Sequence, residues 1–211
     1  MAFLRQISAS FDSEYKGFGA VFRSFIRLMM VVHRVDFHLF EKSILKQCKL
    51  INNLTSIMLD SDNLKSSEGG ETDKLKIMRK TFKFIEYLTS DDQADQHESH
   101  VKDVLQTIYE QAGLINNLIF NLNQPRDDDP KVLGRQIVLI GTMCQHLPEF
   151  QQSPTMCDTG TFNLIYIMSK MNDPTPEHLE FKLKSTIAIR KATSCRVVAL
   201  LDSFVKNQIC E

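Results

Sequence analysis

The sequence predicts an all-α chain built as a short α-solenoid, and three observations predict it. Apolar residues recur at intervals of three and four along most of the chain, and no alternating run marks a strand. A segment is repeated. Lys46-Gln47-Cys48-Lys49-Leu50-Ile51-Asn52-Asn53-Leu54 is matched by Glu110-Gln111-Ala112-Gly113-Leu114-Ile115-Asn116-Asn117-Leu118, and a weaker third copy opens with Thr159-Gly160-Thr161-Phe162-Asn163-Leu164-Ile165. Two helix starts of one chemistry, Asp129-Pro130 and Thr175-Pro176, recur 46 residues apart. Self-similarity of this kind signals stacked units that bury a continuous core and present long side surfaces.

Each element has its own signal. Residues 17–35 place Phe18, Phe22, Phe25, Met29 and Val32 at helical spacing, with Arg23, Arg27 and Arg34 on another side. Asp36 is placed to cap a second helix through Phe40, Ile44, Cys48, Ile51, Leu54 and Met58. The polar stretch 60–72, with Gly69-Gly70, predicts a loop. Helical spacing resumes at Leu75, Met78, Phe82, Ile85 and Leu88, and Ser90-Asp91-Asp92-Gln93-Ala94-Asp95 reads as an acidic break. The cleanest stripe follows: Val101, Val104, Leu105 and Ile108, then Ala112, Ile115, Leu118, Ile119 and Leu122, with a bend at Gly113.

After a turn at 123–128, Asp129-Pro130 opens a helix through Leu133, Ile137, Ile140 and Cys144 that stops before Pro148. Asp caps free amides, and Pro at the first helical position loses no hydrogen bond. A loop at Ser153-Pro154, a short helix over 160–171 and a turn at 172–174 precede Thr175-Pro176. The closing helices carry Leu179, Leu183, Ile187, Val198, Leu201 and Val205.

Residues 101–147 resemble an armadillo repeat, of the armadillo/HEAT-like helical-repeat family. The short helix, the Ala112-Gly113-Leu114-Ile115 corner, the medium helix, the Pro/Asp turn and the Asp129-Pro130 start of a long third helix follow that family's order. Residues 155–193 resemble the next repeat, with Gly160 at the corner and Pro176 opening its third helix, and residues 36–89 resemble an earlier one with a lengthened loop. Gly113 to Gly160 spans 47 residues, within the family's period of about 40–47.

The resemblance implies a right-handed superhelical α-solenoid of about three armadillo-like repeats with capping helices. It divides the chain into a Phe-rich, basic capping segment at 1–35 and a repeat domain at 36–211, with 195–209 as the closing cap. It also implies a partner-binding concave surface lined by the third helices. The positions where peptide-binding members carry Asn fall near Tyr87, Thr142 and Ala188. None is Asn, so a different groove chemistry or another face is expected.

The net charge of −1 is unevenly spread. Residues 1–50 carry eight Lys/Arg against four Asp/Glu, residues 60–130 eight against fifteen, and residues 131–211 nine against seven. The five cysteines Cys48, Cys144, Cys157, Cys195 and Cys210 are widely spaced, odd in number and without a C-x-x-C. That pattern reads as reduced, buried thiols in an intracellular, cytoplasmic or nuclear protein. Met1-Ala2-Phe3-Leu4-Arg5-Gln6 has no long apolar core of a signal peptide, and the run Leu28-Met29-Met30-Val31-Val32 is too short to cross a bilayer.

Catalytic and metal chemistry find little support. No Gly-rich phosphate loop is present, since Glu68-Gly69-Gly70-Glu71 lacks a Lys and its acids repel phosphate. His97 and His100 share an acidic loop with Asp95 and Glu98 and have no Cys partner, which reads as a solvated loop with no metal. Cys144 and His146, two apart on a helix, point to different faces and form no nucleophile–base pair. No cofactor is expected, and the chain is expected not to be an enzyme.

Lys182, Lys184, Arg190, Lys191 and Arg196 fall within fifteen residues that contain no acid. They suit an acidic protein segment or, as the alternative, a phosphate backbone. The expected function is a protein–protein adaptor or scaffold, with Tyr87, Arg135, Thr142, Lys184 and Lys191 facing the partner. Self-association through a patch left by incomplete stacking also fits the sequence.

Overall fold

Asp36 ends one helix and starts the next. In the computed structural model, which describes residues 18–60, 73–111, 130–151 and 175–194, α1 spans Phe18–Val35. It buries Phe22, Ile26, Met29 and His33, spaced four, three and four apart as one helix face requires. Asp36 then accepts a hydrogen bond from the Leu39 backbone N–H at 2.9 Å, capping α2 (Phe37–Leu39). This is the cap expected at Asp36.

The continuation differs from expectation. The helix does not run unbroken to Met58. A π-helix, π1 (Phe40–Gln47), takes over from α2; the Cys48 N–H donates to Ser43 O at 3.1 Å, and Lys49 adopts a φ of 47°. Only then does α3 (Leu50–Asp60) begin. In an unbroken helix Cys48 would share a face with Ile44 and Ile51. The break re-phases the chain so that Leu50, Ile51 and Leu54 are buried, while Cys48 stays half-buried. Asn53 Nδ2 donates to Cys48 O at 2.8 Å, satisfying a carbonyl that the break frees. A left-handed Lys costs about 1–2 kcal/mol, which the three buried residues offset at roughly 1.5–3 kcal/mol each.

α4 spans Asp73–Leu88 and buries Ile77, Phe82, Phe84, Ile85 and Leu88. The chain forms two compact units, Met1–Tyr87 and Leu88–Glu211, so the expected boundary at 35/36 falls inside the first of them.

In the second unit α5 covers Asp91–Tyr109. The acidic stretch expected as a break is itself helical, and the irregularity sits at His97 instead (φ −145°, ψ 57°). Asp91 and Asp92 occupy the first turn, where the helix dipole favours negative charge. α6 (Pro130–His146) begins at Pro130 and ends before Pro148, as expected. A short helix, α7 (Pro148–Gln151), follows, with Phe150 edge-on to Tyr109 at 5.6 Å between centroids. α8 spans Pro176–Thr193, with Pro at its start.

α6 is buried almost all round, from Val132 to Cys144 with Arg135 half-exposed. Such a helix is core rather than surface. α8 runs beside it in the same direction: Gly134 meets Phe181 and Lys184, and Gly141 meets Ala188. A Cβ on Gly141 would stand 2.7 Å from Ala188 O and 2.8 Å from Ala188 Cα. Around Gly141 the face α8 turns inward is correspondingly slim, with Ser185, Ala188 and Ala192 buried, while Phe181 packs by Gly134 at the near end. The hydroxyls of Thr142 and Ser185 bond back to Val138 O and Phe181 O, each at 2.9 Å, so their burial leaves no hydroxyl unpaired.

All regular structure among the described residues is helical. The stripe over 112–122, the bend at Gly113, the helix over 160–171, the loop at 61–72 and the cap at 195–209 lie outside the described residues.

Gly141→Ala is expected to lower stability by about 1–3 kcal/mol, because the new methyl meets backbone rather than a yielding side chain. Gly134→Ala meets Lys184 Cβ and Cγ at 3.2 and 3.3 Å, and the lysine can give way. Its helix-propensity gain of about 1 kcal/mol should leave it near neutral. Thermal melts of both variants check the contrast.

Candidate protein interface

The close approach of α6 and α8 decides which side chains of α8 reach the surface. With Phe181, Ser185, Ala188 and Ala192 turned inward, the opposite side carries Leu179, Leu183, Thr186 and Arg190, again spaced four, three and four. Leu179 is 57 % exposed and Leu183 61 %. Both belong to the apolar set expected along the closing helices, yet they face away from α6. Lys182 flanks them, half-buried, and its carbonyl accepts from Thr186 Oγ1 at 3.0 Å.

Between the helices lie the polar residues that the sequence singled out. Arg135 Nη1 donates to Lys131 O at 3.3 Å, and its Nη2 stands 4.0 Å from Glu180 Oε1 across the seam. Lys184 lies over Gly134 through its aliphatic stem. Thr142 is buried, with its hydroxyl returned to its own helix. Lys191 is drawn inward to an ion pair with Asp91 at the start of α5, the lysine side chain 7 % exposed and the carboxylate 59 %.

His146, at the end of α6, stands near this pair. Burial lowers its pKa below the usual 6.5, and the positive charges of Lys191 and Lys102 lower it further, against the opposing pull of Asp91 and Glu98. Glu98 is bridged to Lys102 at 2.7 Å; that hydrogen bond and the lysine's charge hold its carboxyl below the usual range.

Tyr87 belongs to the first unit. Its hydroxyl pairs with His33 Nδ1 at 2.8 Å and accepts from Arg34 Nε at 3.4 Å. The Arg34 guanidinium lies 5.3 Å from the ring centroid, and His33 packs edge-on against Tyr87, Phe37 and Phe40. The structure thus gathers Arg135, Thr142, Lys184 and Lys191 on α6 and α8. It engages Tyr87 separately, in an aromatic cluster.

Leu179 and Leu183 are the surface residues that sequence reasoning passed over. The signal was present in Ser185, Ala188 and Ala192, whose small size at close-packing intervals marks the inward face better than the leucines do. Among the described residues no three His, Cys, Asp or Glu stand together to hold a metal ion, and no helix is long and apolar enough to cross a membrane. No protein-family model, curated protein or solved structure matches the chain.

Two outcomes follow from the charges. Protonation of His146 is disfavoured in the folded state, so stability should be full above about pH 6.5 and decline as the pH falls from there toward the depressed value. His146→Gln should flatten that part of the stability–pH profile, measured by denaturant unfolding at successive pH values. Lys191→Glu sets a buried carboxylate against Asp91. It should cost about 1–3 kcal/mol, less than a wholly buried pair because Asp91 faces solvent.

Proposed function

We propose that this chain is a non-enzymatic protein-interaction module, an armadillo-like solenoid that binds an acidic protein segment on the outward side of α8. The observation that carries this reading is the exposure of Leu179 and Leu183 on a helix whose other side is already packed. Apolar residues repeated along one face of a helix can anchor a docked segment. Lys182 and Arg190 beside them favour a partner with acidic residues, through complementarity that steers association.

The solenoid reading is supported by direction and offset. α6 and α8 are parallel neighbours, and Ala188, which Gly141 meets, lies 47 positions further on. Translation by one repeat sets equivalent helices parallel at an offset of this size. Lys49, the left-handed residue in the first copy of the repeated segment, aligns with Gly113 in the second.

The nucleic-acid alternative has less to draw on. Phosphate recognition uses surfaces much more cationic than an ordinary protein interface. Here Lys191 is internally paired and two leucines occupy the middle of the exposed face.

Proteins retained from native lysate after nuclease treatment should drop at least tenfold with Leu179→Glu/Leu183→Glu and weaken with Lys182→Glu. Both leucines are exposed and surface substitutions shift stability within roughly 0.5 kcal/mol, so the thermal melt of the leucine variant should match the parent chain. Retention that is unaffected by the leucine change, or that requires nucleic acid, would sink the assignment.

A further inference from the structure

α1 carries apolar seams on two sides. Phe22, Ile26, Met29 and His33 face inward. On the far side Val21, Leu28, Val31 and Val35 are exposed, from 46 % at Val21 to 80 % at Val35. With Ser24 they fall at intervals of three, four, three and four, the pattern of a coiled-coil seam. If Val21 opens a heptad, Leu28 and Val35 share its position, and Ser24 and Val31 take the other core position. Arg27 and Arg34 then occupy the flanking position on one edge, with Arg23 beyond them. Phe25 and Val32 take the opposite edge, half-buried toward the protein. The eighteen residues of α1 contain no Asp or Glu.

We infer that this outer seam of α1 docks an amphipathic helix of another protein, one that carries acidic residues beside its apolar positions. Width and charge select that occupant. The exposed apolar sector spans roughly 80° at 3.6 residues per turn, narrower than the face of about 100° or more of a broad amphipathic contact, and matched to a single helix. A membrane surface would meet a seam interrupted by Ser24 and built mainly of short valines. A second copy of α1 packed antiparallel would set arginines against arginines. A parallel copy would set them against Phe25 and Val32, so a copy supplies no counter-charge in either direction. A foreign helix with Glu or Asp at its flanking positions pairs with Arg27 and Arg34, and such pairs set partner choice. Tyr87 contributes at one remove: its ring and hydroxyl hold Arg34 in place, which lowers the ordering cost of binding.

This site lies in the first compact unit and does not depend on the α8 surface. The test uses the full chain and a fluorescein-labelled, 21-residue peptide with Leu at every core heptad position and Glu at every flanking one. Such a peptide repels its own copies and stays available. Its twin carries Lys in place of Glu. By fluorescence anisotropy the Glu peptide should bind at least tenfold more tightly than the Lys peptide. Leu28→Glu, or Val35→Glu if the first variant melts early, should abolish that binding, and Arg27→Glu should narrow or reverse the preference. Leu179→Glu/Leu183→Glu should leave it unchanged, which separates this site from the one on α8. Equal binding of the two peptides, no binding, or binding indifferent to both seam variants would overturn the inference. So would Leu28-dependent dimerisation in sedimentation, or Leu28-dependent capture by phosphatidylserine vesicles in place of the peptide.

Discussion

Where a side chain of residue 141 would extend from α6, the backbone of Ala188 already stands. That approach constrains the rest of the second unit. Where the two backbones come closest the contact needs small residues, and Gly141, Ser185, Ala188 and Ala192 supply them, while Gly134 makes room for Phe181 and Lys184. A glycine in a helix costs about 1 kcal/mol relative to alanine, so two of them in α6 need a compensating gain. The gain is contact: dispersion is small for each atom pair but accumulates over two backbones that touch. The consequence on α8 is a division by size. The slim side goes in, and Leu179 and Leu183 are left outside.

The same packing brings the end of α8 beneath the start of α5. Lys191 is held where a neutral residue would otherwise be favoured, and Asp91 supplies the charge that makes it tolerable. Asp91 also sits in the first turn of α5, where the backbone amides favour a carboxylate. One acidic residue therefore stabilises a helix start and neutralises a buried lysine. His146 meets the other side of that arrangement. It gains no charge partner of its own comparable to Asp91, and it stays neutral more readily than a free imidazole.

Much of the helix pattern was legible because it depends on local chemistry. Asp36 caps, and Pro130 and Pro176 open helices, for reasons contained within four residues. The interruption at Lys49 was hidden in the periodicity, since Ile44, Cys48 and Ile51 fit an unbroken helix. It was visible in the repeat, where Lys49 stands opposite Gly113. What could not be read locally was the choice of face on α8. Leucine spacing points one way and the small residues another, and a helix propensity scale does not arbitrate between them. Only the presence of glycines at matching intervals on a second helix settles which side can be approached. Lys191 and Thr142 looked available for the same reason: residue type says nothing about a carboxylate 100 positions away or a hydroxyl folded back on its own helix.

A net charge of −1 would suggest a chain indifferent to charged partners, but the acidic and basic residues are used in different places. Asp91 is engaged internally with Lys191, and Glu98 with Lys102. The arginines of α1, and Lys182 and Arg190 beside Leu179 and Leu183, border exposed apolar stripes. In water an isolated surface charge contributes little, and an isolated leucine on a surface is ordinary. Set at one-face spacing along a helix whose reverse side is buried, the two together are what the proposed docking of an acidic partner draws on: the basic residues would select its sign, and the apolar stripe would supply the burial.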